Sequence, residues 1–142
     1  MSVIYKENSQ YIEIILHRPA KLNALDTTML TQLLACVHQA SASEKLVVKL
    51  SAVGSVFCSG LDLVELVSLC DQGDLQGLEQ FNYLVGRCLL ALAELNKWIV
   101  LAMQGNAYGG GLGLLAISDY VVAKEGALVS FSELEWALVP GQ

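Results

Sequence analysis

The stretch that decides the fold is Trp98-Ile99-Val100-Leu101-Ala102-Met103-Gln104-Gly105-Asn106-Ala107-Tyr108-Gly109-Gly110-Gly111-Leu112-Gly113-Leu114-Leu115-Ala116-Ile117. Its first six residues read as a buried strand, and Leu114-Leu115-Ala116-Ile117 as the start of a helix. Three consecutive glycines lie between them. Without Cβ atoms, their backbone N–H groups can approach a ligand closely. A helix beginning there adds orphan N–H donors and the positive end of its dipole. Such a turn holds an oxyanion.

A second turn of small residues, Phe57-Cys58-Ser59-Gly60-Leu61-Asp62, also follows an apolar strand and precedes a helical pattern. Two N–H donors meeting at one point would stabilise charge developing on a carbonyl oxygen. Taken singly, each stretch reads as an ordinary tight turn.

Working outward, residues 3–6 and 11–16 read as strands of a hairpin around Glu7-Asn8-Ser9-Gln10. Asp26 is placed to cap a helix reaching about Ala42, with Met29, Leu30, Leu33, Leu34 and Val37 on its apolar face. A strand is expected over 46–50, a loop over 51–60 and a short helix over 61–69 with Leu63, Leu66 and Val67 inward. A polar loop at 71–74 and a longer helix over 78–95 follow. After the glycine turn, a helix to Ser118 and short strands over 120–123 and 128–131 complete the pattern. Strands alternating with helices give an α/β class in one domain spanning 1–142.

The chain is acidic, with net charge −6, which argues against nucleic acid or an anionic membrane as partner. Apolar residues make up 54% and charged residues 15%, so much of the chain is buried in itself or in partners. Cys36, Cys58, Cys70 and Cys88 show no CxxC spacing, so neither metal nor a redox pair is expected. No secretory leader is visible at the N-terminus, and free thiols suit a cytoplasmic setting. Residues 98–118 carry no charge and contain GxxxG, as a membrane helix would. Gln104, Asn106 and the glycine triplet oppose that reading.

Glu133, in Ser130-Phe131-Ser132-Glu133-Leu134, follows an apolar strand, where desolvation would raise a carboxyl towards the range of a useful acid or base. Its alternative is a solvated loop residue; Glu135 is the nearest rival, with Glu65, Glu79 and Asp62 further off. His17 and His38 read as turn and helix-surface residues, and no GxSxG elbow is present. Gly111-Leu112-Gly113-Leu114-Leu115-Ala116 fits the dinucleotide pattern GxGxxA, but a strand ending near Met103 stops too early for its tight turn.

Together the motifs resemble the crotonase superfamily, the enoyl-CoA hydratases and isomerases. The matching pieces are residues 17–25 (His-Arg-Pro-Ala-Lys-Leu-Asn-Ala-Leu), 56–63, 104–113, 118–123, 131–134 and 138–141, in family order along essentially the whole chain. The resemblance implies a spiral of ββα turns binding an acyl thioester of coenzyme A, with the thioester oxygen held as an enolate. Matched by position, the oxyanion donors would be the N–H groups of Leu61 and Gly110, and Glu133 the acid/base. Lys21, Leu22, Ser59, Gly60, Asp62 and Gly109 would line the substrate and coenzyme path, with Asp62 fixing its turn rather than reacting.

The resemblance implies no separate cofactor, since coenzyme A enters as part of the substrate, and it implies a homo-oligomer, a trimer or hexamer. Hydratases of the best-known type carry a further glutamate a few residues after the glycine triplet; here Gly113 stands there. One carboxylate suits isomerisation, while hydration and dehydration of a carrier-protein thioester stay open. Family members run for roughly another hundred residues of helix, so the expectation is a chain lacking that helical part. A non-catalytic thioester-binding or assembly module is the alternative of another class.

Overall fold

The architecture begins with a hairpin. Strands β1 (Val3–Glu7) and β2 (Ile12–Leu16) pair antiparallel, from Val3 opposite Leu16 to Glu7 opposite Ile12. The Asn8 side-chain oxygen closes the turn by accepting from the backbone N–H groups of Gln10 and Tyr11. Residues 1–131 are described by a computed structural model of the chain, and all that follows concerns those residues.

Beyond the hairpin the chain winds in repeats of strand, short strand and helix. The first comprises β3 (Val47–Ala52), β4 (Val56–Cys58) and the helices α2 (Leu63–Asp71) and α3 (Leu75–Ala93). The second comprises β5 (Trp98–Met103), β6 (Asn106–Tyr108) and α4 (Gly110–Ala116), and a third opens with β7 (Tyr120–Ala123) and β8 (Val129–Ser130). The long strands add to the hairpin as one sheet, ordered β1-β2-β3-β5-β7, and the short ones form a second, β4-β6-β8. Every pairing after the hairpin is parallel. This is the spiral of ββα turns that the family resemblance implies.

Register explains the core. Ile12, Val48 and Ile99 lie side by side across β2, β3 and β5, and Ile14, Leu50 and Leu101 form the next row on the same face. All six are buried. Burial of each such side chain is worth about 1.5–3 kcal/mol relative to exposure. The intervening residues face the other way, where Lys49 pairs with Glu13 at 2.8 Å. Helix α1 (Thr27–Ala42) buries Met29, Leu30, Leu33, Cys36, Val37 and Ala40 against this core. Asp26 caps it as expected, accepting from the Met29 N–H at 2.7 Å.

Three expectations need correction. The segment read as a loop over 51–60 contains β4, and β6 immediately precedes the glycine turn; both are three-residue strands, too short to show alternation. The third concerns α2. Leu66 packs on the core, but Val67 is 56% exposed and Leu63 stands at the surface, so its inward face is narrower than the apolar spacing implied.

The uncharged segment 98–118 is β5, β6 and α4, and no helix among the described residues is long and apolar enough to cross a membrane. The dinucleotide pattern also fails, though not because the strand ends early: β6 runs up to the turn, while Gly111 and Gly113 sit inside α4.

Candidate active site

The two small-residue turns sit at equivalent places in successive repeats, each joining a strand of the smaller sheet to a helix. Parallel pairing of β4 with β6 sets them side by side. Gly60 has φ +94°, and a Cβ placed on it would stand 3.1 Å from the Tyr108 carbonyl oxygen and 3.3 Å from the Gly110 nitrogen. Both the left-handed backbone and the tight approach favour a residue without a side chain here. Gly111 is constrained by space alone, since its Cβ would come within 2.9 Å of the Cys58 Cβ.

The backbone bonds decide which donors remain. The Gly109 N–H donates to the Ser130 carbonyl of β8 at 3.0 Å. Gly110 and Gly111 open α4, and among the described residues neither N–H has an acceptor.

In the other turn, Leu25 N–H donates to the Gly60 carbonyl at 2.8 Å and Asp62 N–H donates to the Leu25 carbonyl at 3.0 Å. In a trans peptide the carbonyl and the following N–H point in opposite directions. The Leu61 N–H therefore points away from Leu25, and it too has no acceptor among the described residues. The Leu61 side chain lies against Gly110, 3.1 Å from where a Cβ there would be.

Segment 18–25 buttresses this turn. Pro19–Lys21 forms a single 3-10 turn, followed by Leu22 and Asn23 in the left-handed region at φ 52° and 56°. Asn23 is fully buried. Its side-chain oxygen accepts from Arg18 N–H, and its amide donates to the Val53 and Val56 carbonyls at 2.8 and 2.9 Å. Ser59 N–H donates to the Leu22 carbonyl at 3.1 Å. Lys21 and Leu22 are exposed, and Lys21 borders a cleft of about 380 Å³ with Arg18, Asp62, Val64 and Ser68. The structure thus brings Lys21, Leu22, Ser59, Gly60, Leu61, Asp62, Gly109 and Gly110 into one region. Glu133 and Glu135 lie outside the described residues.

Asp62 caps α2, its Oδ1 accepting from the N–H groups of Val64 and Glu65. Burial alone would raise its carboxyl. The Arg18 guanidinium and those N–H groups outweigh burial and hold it below the usual value. Arg18 Nη1 donates to Asp62 Oδ2 at 2.7 Å, and Nη2 reaches Asp26 Oδ2 at 3.0 Å. Glu65 ties the two helix starts together again, accepting from Thr27 N–H and from its hydroxyl. Neither the Arg18 bridge nor the Glu65 link is legible from local pattern, because each joins residues far apart in sequence.

The family model for enoyl-CoA hydratase/isomerase matches residues 11–141. The chain belongs to the enoyl-CoA hydratase/isomerase family. Among curated relatives, it is 34% identical over 141 residues to YhaR of Bacillus subtilis, a protein assigned to the same family, covering 97% of this chain and 53% of YhaR. It is 28% identical to the peroxisomal Delta(3,5)-Delta(2,4)-dienoyl-CoA isomerase of Arabidopsis thaliana, covering 93% of this chain and 51% of that one. The crystal structure of an enoyl-CoA hydratase from Shewanella pealeana superposes with a TM-score of 0.89 at 26% identity, over 99% of this chain and 53% of that one. The chain spans about half the length of the family members it matches.

Proposed function

We propose that this chain carries the thioester-activating core of an enoyl-CoA hydratase/isomerase, in which the N–H groups of Leu61 and Gly110 hold the oxygen of an acyl thioester as it becomes an enolate. The observation that carries this reading is the contact of Gly60 with Gly110, which sets on adjoining turns two N–H groups that have no acceptor among the described residues. Glu133 is the acid/base: it takes the α-proton and returns it to the same enolate. Lys21, Leu22, Ser59, Gly60, Asp62 and Gly109 border the substrate and its coenzyme A. Coenzyme A arrives with the substrate, and no further cofactor takes part. A homo-oligomer belongs to the same reading, supported by the exposed Tyr120, Val122, Leu128 and Phe131, and so does a place in the cytoplasm, which follows from the free thiols alone.

Gly113, buried within α4, favours double-bond isomerisation over a hydration that uses two glutamates. No side chain at that position can hold a water. The test is α-proton exchange of a saturated acyl-CoA in D₂O, followed by NMR beside Glu133→Gln. Exchange abolished by the substitution supports the enzyme reading. Thioester binding without exchange overturns it and leaves a binding module; exchange only with a carrier-protein thioester changes the substrate class.

A further inference from the structure

We infer that Arg18 is a positioning residue that fixes the direction of the Leu61 N–H by gripping the neighbouring Asp62. The inference rests on the reading of Leu61 as an oxyanion donor.

The Arg18 guanidinium makes three contacts at once: Asp62 Oδ2 at 2.7 Å, Asp26 Oδ2 at 3.0 Å and the Ala24 carbonyl at 3.2 Å. Two of these partners are the N-caps of α1 and α2, and the third lies beside Leu25. Leu25 is the residue whose backbone holds both the Gly60 carbonyl and the Asp62 N–H. Arg18 therefore grips both sides of the ladder that orients the peptide between Gly60 and Leu61. Its own backbone is fixed as well, through the bond from Arg18 N–H to buried Asn23.

An exposed ion pair is worth little. This one is different in kind: the side chains of Arg18, Asp26 and Asp62 are only 22%, 18% and 10% exposed, and a planar guanidinium spans two carboxylates as an ammonium does not. Asp62 divides its oxygens, Oδ1 on the start of α2 and Oδ2 on Arg18. Removing Arg18 leaves the Oδ1 cap and the Leu25 ladder in place but takes away the guanidinium that braces Asp62 against Asp26 and Ala24, so the Gly60–Leu61 peptide is held less firmly. Misplacement of a reacting group by about 1 Å costs on the order of 100-fold in rate.

The experiment compares the full chain with Arg18→Gln and Asp62→Asn, the latter keeping an amide oxygen for the α2 cap. The first readout is the residual dipolar coupling and ¹⁵N order parameter of the Leu61 N–H, which require no activity. Both variants are expected to change them, while N–H groups of β3 stay as they were. The second readout is α-proton exchange of acyl-CoA, with kcat expected to fall about 10- to 100-fold while KM changes little.

An unaltered Leu61 N–H vector in both variants overturns the inference, as does an unaltered kcat in an exchanging enzyme. If the unsubstituted chain shows no exchange, the proposed function fails. The Leu61 vector then still decides whether Arg18 sets its direction.

Discussion

Gly60 and Gly110 stand so close that a Cβ on the first would lie 3.3 Å from the nitrogen of the second, although they belong to successive repeats of the spiral. That approach makes one site out of two turns, and it fixes what substitution at either turn does. Gly60→Ala combines a backbone at φ +94° with a methyl group placed over the Gly110 N–H. We expect α-proton exchange to fall about 100-fold or more, as when an oxyanion donor is removed, with about 1–3 kcal/mol of stability lost to backbone strain. Exchange kinetics and urea unfolding of the variant check both numbers.

Asn23→Ala should damage the fold rather than the chemistry. The buried side chain satisfies Arg18 N–H and the Val53 and Val56 carbonyls, and nothing in the alanine replaces these bonds. A loss of about 2–4 kcal/mol in urea unfolding is expected. A loss below about 0.5 kcal/mol would show that water reaches these groups.

Asp62 gives the stability a defined acid limb. Its folded carboxyl lies below its ordinary value of 3.8, so it titrates at lower pH in the folded chain than in the unfolded one. The stability it contributes is complete above the unfolded value and is lost as pH falls through the folded one. Unfolding free energies measured from about pH 6 down to pH 2 should therefore decline more steeply for the unsubstituted chain than for Asp62→Asn. Parallel curves would contradict the assignment.

The thiols should separate by reactivity. Burial pushes Cys58 up to about 12 and Cys88 to about 11, and it raises Cys36 as well, whereas Cys70 is exposed. The thiolate is the reactive form. Labelling with a disulfide reagent near pH 8 should modify Cys70 rapidly in the native chain and the other three only on unfolding. Mass spectrometry of the digested product identifies the site.

The sequence made some of this plain because the physics was local. Asp26 caps α1 three residues before the N–H it accepts, and the unbroken apolar run of β5 marks it as a buried strand. The glycine triplet and the Ser59–Gly60 pair announced turns that admit no side chains. Other parts depended on contacts distant in sequence. The strands β4 and β6 exist by virtue of pairing with each other, and three residues cannot carry a period of two. Val67 lay at the right spacing on α2 but faces solvent, because α2 rests on its neighbours along a narrow stripe. Arg18 stood out in the sequence only as one residue of the 17–25 stretch that carries the family resemblance. Its role emerged only when Asp62, 44 residues away, came within 2.7 Å.

The measurement that tests the oxyanion site most directly is the ¹³C resonance of an acyl-CoA labelled at the thioester carbonyl, bound to the unsubstituted chain and to Gly60→Ala. Two N–H groups on one oxygen polarise the carbonyl, so the bound resonance should move downfield in the unsubstituted chain, with the movement lost or sharply reduced in the variant. A bound thioester whose carbonyl resonance stays at its solution position would contradict the convergence of the Leu61 and Gly110 N–H groups on the substrate.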